Sequence, residues 1–211
     1  MNHEPVYIVS GYMRSGTSMM MKALIQGGIP GRYSTEKDRI LDQRYKEGDY
    51  HPNPEGFYEL GPRDFESSLF PSDYRGFLIK ALHWRLKILS PFDYKVVFML
   101  RNPEEIKVSY LKMFRHRPPF VLEKYHSFIE ETLAALEQRK DMAVTTVWHH
   151  DMLNDPGQVI DTLTAAGFPV TNRESAVNAV RPDLYRSRPG DIDQVRAEIP
   201  HLRTDLPEIL S

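Results

Sequence analysis

The 211-residue chain contains no cysteine. That excludes disulfides, thiolate metal ligands and a cysteine nucleophile, and it fits a reducing compartment. No apolar run approaches the roughly 18–20 residues of a membrane span. The N-terminus lacks the basic segment and apolar stretch of a secretory signal. Excess charge is missing as well. Lys and Arg total 27 against 29 Asp and Glu, a formal net charge of −2, so no global field draws nucleic acid or an anionic membrane. Local basic clusters must meet any anion. The expectation is a soluble cytoplasmic protein that binds neither nucleic acid nor membrane; its oligomeric state is left open.

The length suits one sizeable core, residues 1–211 as a single domain, since a second full domain would be cramped. "PVYIVS" (5–10), "FLIKAL" (77–82), "KVVFML" (95–100) and "AVTTVW" (143–148) read as strands, apolar on both faces where central. Helices are expected at about 16–26, stopped by Gly27 and Gly28, at 103–116, and at 120–139 with the stripe Leu122, Tyr125, Ile129, Leu133, Leu136. Another opens at Asp155-Pro156 and ends at Gly167. The tail, 172–211, reads as a short helix followed by irregular chain. Residues 30–76, rich in Pro, Gly, Tyr and charge, read as a lid-like insertion with short helices near 36–46 and 62–69. Strands alternating with helices imply a three-layer α/β/α fold with a mostly parallel sheet.

Two stretches carry chemistry. In "VYIVSGYMRSGTSMMMKAL" (6–24), Gly11 and Gly16 bracket a turn between strand and helix. Its backbone N–H groups can surround an anion, and the helix N-terminus adds partial positive charge. Arg14, Ser15, Thr17 and Ser18 add donors. The lysine that follows the second glycine in ATP- and GTP-binding loops is replaced by Thr17. Taken alone, a corner that binds nothing also fits. In "VVFMLRNPEEIKVSYLKMF" (96–114), Asn102, Pro103 and Glu105 read as a helix start, with Glu105 closing a capping box. Arg101 and Ser109 are left over. Arg101 ends a strand, where open α/β sheets bind ligands. Ser109 is a hydroxyl on the inward stripe; it either bonds back along the helix or meets a phosphate held by Arg101.

The loop R-S-G-T-S together with the downstream strand–R-N-P-x5-S resembles the sulfotransferases that use 3′-phosphoadenosine-5′-phosphosulfate (PAPS). The resemblance extends to "NPEGFYE" (53–59), "HHDMLNDPGQVIDTLTAAGF" (149–168) and "RPDLYRSR" (181–188), as in bacterial sulfotransferase-domain proteins. It implies a P-loop fold, PAPS as donor, 3′-phosphoadenosine-5′-phosphate (PAP) as product, and no metal. It implies a 5′-phosphosulfate site at Arg14, Ser15, Gly16, Thr17 and Ser18, and a 3′-phosphate site at Arg101 and Ser109. Arg14 then stands for the lysine of many members. A basic loop near the C-terminus implies Arg186 and Arg188, beside Arg181 and Pro189-Gly190-Asp191, over the nucleotide; a solvated turn fits equally.

A base must take the acceptor's proton. Glu59 in "NPEGFYE" is one candidate and His83 in "IKALHW" the other, with Lys80 three residues before it. Cytosolic sulfotransferases carry a lysine and histidine two residues apart in a similar place. Both candidates also read as a surface salt bridge or a cap. Tyr50, Phe57 and Tyr58 either line an acceptor pocket or pack the insertion. His149 and His150, adjacent on a strand, point to opposite faces and cannot easily share a metal; Asp151 and Asp155 read as helix caps. A P-loop kinase or hydrolase, and a non-catalytic nucleotide-binding member, are the alternatives. The acceptor cannot be read from the sequence: a small molecule such as an alcohol, a carbohydrate, a lipid and a peptide are all open.

Overall fold

The structure, a computed structural model, describes residues 4–46, 50–61, 63–114 and 122–188. Four strands, β1 (Val6–Gly11), β2 (Leu78–Lys80), β3 (Tyr94–Leu100) and β4 (Met142–Trp148), form one sheet in the order β2-β1-β3-β4. Every pairing is parallel. Strand alternation divides the apolar side chains between two faces. Tyr7, Val9, Val97 and Met99 face α1 (Thr17–Gln26), α6 (His149–Asn154), α7 (Pro156–Ala165) and α8 (Arg173–Asn178). Val6, Ile8, Val96 and Phe98 face α3 (His83–Leu86), α4 (Pro103–Met113) and α5 (Leu122–Glu137). The three-layer α/β/α arrangement follows. Because the strands are parallel, Gly11, Lys80, Leu100 and Trp148 all end at one edge of the sheet. Among the described residues no helix is long and apolar enough to cross a membrane.

Several expectations are corrected. Where a helix is expected near 62–69, the described residues 63–71 are turns, followed by a short 3-10 turn at Ser72–Tyr74. Phe65, Phe70 and Tyr74 pack ring against ring there, at 5.2 and 5.1 Å between centroids, so an aromatic cluster sets the path in place of helical periodicity. β2 stops at Lys80, because the chain turns into α3 at His83. His149 and His150 open α6 and do not lie on a strand; His149 is buried and His150 exposed. Asp155 does cap α7, accepting from the Gln158 amide at 2.9 Å, whereas Asp151 lies within α6 and caps nothing.

The insertion supplies α2 (Thr35–Tyr45) and an extended strap, residues 50–61. Ser34 caps α2 through the Lys37 amide. The Asp38 carboxylate accepts from three successive strap amides, Phe57 (3.1 Å), Tyr58 (3.0 Å) and Glu59 (3.4 Å). The strap is thereby fastened across the mouth of the glycine-bracketed loop.

Candidate active site

β1 delivers the chain to Gly11, where a Cβ would lie 2.6 Å from the Met99 carbonyl oxygen. The loop then turns through Arg14, which holds φ 68°, a left-handed conformation costing a side-chain-bearing residue on the order of 1–3 kcal/mol. Gly16, at φ 98°, starts α1, and a Cβ there would fall 2.6 Å from His149 Cδ2. These glycines let the first amides of α1 face a cavity of about 310 Å³, within the usual range for small-molecule sites. Gly16, Thr17 and Ser18 line it; Ser15 lies beneath the loop, its buried hydroxyl without a hydrogen-bond partner.

Arg14 is placed differently from the sequence expectation. Its Nε donates to Ser109 Oγ (2.9 Å), and its terminal nitrogens donate to Asn53 Oδ1 and the Pro52 carbonyl, both at 3.0 Å. It therefore joins the loop to α4 and the strap. Burial, together with neighbouring Arg101 and Arg186 and against the pull of Tyr50, brings its pKa down to about 10. The cation beside the loop hydroxyls is Lys80. Its Nζ donates to Ser18 Oγ (3.2 Å) and to the Phe57 carbonyl (2.7 Å), which also accepts from Ser18 Oγ. Burial, offset in part by Glu59, lowers the Lys80 pKa to about 8.

Arg101 does not share a bond with Ser109. Its Nε donates to Glu105 (2.8 Å), and its terminal nitrogens reach the carbonyls of Arg14 (2.9 Å) and Ser187 (3.3 Å). Glu105 is thus turned onto Arg101 and closes no capping box; Asn102 alone caps α4, through the Glu104 amide. Arg101 and Ser109 both line the cavity, with Arg14 between them. Arg186 also lines it, donating to the His51 carbonyl and lying over the Tyr50 ring. Arg188 is exposed and contacts the Tyr185 ring instead. Pro189-Gly190-Asp191 lies outside the described residues.

The two base candidates part company. Glu59 lines the cavity, 2.9 Å from Lys37 Nζ and 3.8 Å from Lys80 Nζ. Burial raises its pKa, but Lys80 and Lys37 together outweigh that and hold it below the usual carboxylate value. His83 does not line the cavity. It is buried on the opposite face of the sheet, its ring stacked on Tyr12 at 5.0 Å and near Phe128 at 6.0 Å. Phe57 and Tyr50 line the cavity, whereas Tyr58 packs into the core against Tyr33.

His149 is a lining residue that the sequence reading considered only as a metal ligand. Burial and Arg101 drive its pKa to about 3, so the ring is neutral. The strand-end rule that singled out Arg101 applies to it as well. Asn53 and Asp38 tie the strap to the loop and to α2; Asn53 carried no sequence signal beyond the "NPEGFYE" string, and Asp38 carried none.

No protein-family model matches the sequence, and no curated protein matches it. Among solved structures, the sulfotransferase STF1 from Mycobacterium tuberculosis superposes with a TM-score of 0.50 at 14% identity, over 95% of this chain and 77% of that one. A sulfotransferase from Alicyclobacillus acidocaldarius gives 0.47 at 19% identity, covering 94% and 92%. A sugar kinase from a Janibacter species gives 0.36 at 14%, covering 82% and 98%. In fold, then, the chain is similar to a bacterial sulfotransferase.

Proposed function

We propose that the chain transfers a sulfuryl group from PAPS to an acceptor hydroxyl or amine. The observation that carries this reading is a pair of basic seats within one cavity. Lys80, Ser18, Thr17 and the α1 N-terminus form one; Arg14, Ser109 and Arg186 form the other. A ligand with two separated phosphate groups fits that division. When bound, PAPS supplies a sulfuryl group on a phosphate leaving group, together with a second phosphate on the ribose.

The first seat would hold the 5′ end. Its donors lie in a largely buried setting, where fixed charge stabilises an oxyanion without reorganisation. That the Phe57 carbonyl already accepts from Lys80 and Ser18 supports a fit to an anionic oxygen. The second seat would hold the 3′-phosphate. Arg101 acts on Arg14 through its carbonyl and is a positioning residue. Glu59, ionised at neutral pH and beside Lys80, is the group to take the acceptor's proton.

Calorimetry with PAP, 5′-AMP and ATP, each with and without magnesium, tests the reading. PAP should bind roughly 30- to 150-fold more tightly than 5′-AMP, the worth of one charge-assisted phosphate seat. Magnesium should make no difference. Equal affinities, or a magnesium-dependent preference for ATP, would overturn it.

A further inference from the structure

A second cavity, of about 90 Å³, lies behind the first. Glu59, Lys80 and Leu82 line both, so the two share a wall at the proposed reaction centre. The far side is built from Phe65, Trp84 and Arg85. Arg85 lies between the rings, 4.6 Å from the Phe65 centroid and 4.5 Å from that of Trp84. Among the described residues, no side chain or carbonyl accepts from that guanidinium, although every other arginine lining either cavity is bonded. Of the charges lining this cavity, Lys37, Lys80 and Arg85 are cationic and Glu59 alone is acidic. Glu59 is engaged by the two lysines. Three cations thus face one carboxylate, and of the three Arg85 alone has no oxygen partner among the described residues.

A planar fork of donors beside two aromatic rings matches the two oxygens of a carboxylate. The walls beside it are apolar and aromatic. We propose that this cavity seats the acceptor, and that the acceptor is a hydroxyl-bearing aromatic carboxylic acid. The carboxylate meets Arg85, the ring lies by Trp84 and Phe65, and the hydroxyl faces the wall of Glu59 and Lys80. The inference rests on the sulfuryl-transfer reading for the group transferred, but not for what the cavity binds.

The chain has two tryptophans, Trp84 and Trp148. In a Trp148→Phe background, Trp84 emission reports on this cavity alone. Titrations with 4-hydroxybenzoate and 4-hydroxyphenylacetate, against phenol and p-cresol, should give saturable quenching that favours each acid by about tenfold or more, as expected of a charge-assisted bidentate contact. Arg85→Met keeps an apolar stem between the rings and should abolish that preference. Arg85→Lys keeps the charge without the fork and should lose part of it. No carboxylate preference in the parent, or an undiminished preference in both variants, would overturn the proposal. PAP calorimetry on the same samples separates the two readings. PAP binding without acid preference removes the acceptor assignment only; acid preference without PAP binding removes only the donor assignment.

Discussion

Lys80 and Arg101 leave the carboxyl ends of the two strands that flank β1, and each is only 7% exposed. Each also has a carboxylate nearby, and there the likeness ends. Arg101 holds Glu105 at 2.8 Å, one turn along the same segment, and spends its other nitrogens on backbone carbonyls. Lys80 is 3.8 Å from Glu59, whose nearer partner is Lys37 at 2.9 Å. One charge is locked into the framework. The other is buried but short of counter-charge, and that deficit is what an anionic ligand can relieve. Proximity to a strand end marks both residues; only the counter-ion separates the brace from the binder.

The sharpest test concerns the two carboxylates. Glu59→Gln should lower PAP production from PAPS by about 10²- to 10⁴-fold, the range for loss of a general base, while PAP affinity stays within a few-fold. His83→Asn, buried away from the cavity, should leave turnover per folded molecule near that of the parent. Reversal of these two results in a coupled assay for PAP would return the base to His83.

Next in size is stability. Arg101→Met leaves Glu105 buried without its cation and should cost about 3–5 kcal/mol in urea unfolding. Lys80→Met removes a poorly compensated charge and should cost little or even stabilise. Equal losses would erase the distinction between the two residues.

The smallest effect is a pH dependence. Burial holds the Lys80 pKa in the folded protein near 8, against an ordinary value of 10.5. Between these values the unfolded chain binds more protons, so the stability of the ligand-free protein rises with pH across that window. PAP affinity should move the other way, falling up to about tenfold per pH unit above 8 as the ammonium is lost. Titration calorimetry at several pH values should show proton uptake on binding there. In Lys80→Met both trends should flatten.

Much of the frame was legible because it depends on local rules. Runs apolar on both faces marked β1 and β3, glycines marked the loop, and a strand-end position marked Arg101. Partner choice was not legible, because it is decided across the fold. Ser109 meets Arg14 from 95 residues away in sequence, and no spacing rule could have preferred that arginine to Arg101. The fate of His83 was not legible either: β2 ends at Lys80 and His83 opens α3, so no strand parity sets its side of the sheet.

The Asp38 carboxylate, bonded to three strap amides in a row, has a consequence for how the site admits a ligand. Ser34 strengthens the tie, its amide donating to the Glu59 carbonyl at 2.9 Å. The helix and the strap cannot separate one bond at a time without stranding amide groups near the core. They travel as one body. Amide exchange at Phe57, Tyr58 and Glu59 should therefore proceed at a common rate, and that rate would time the opening of the door over the loop.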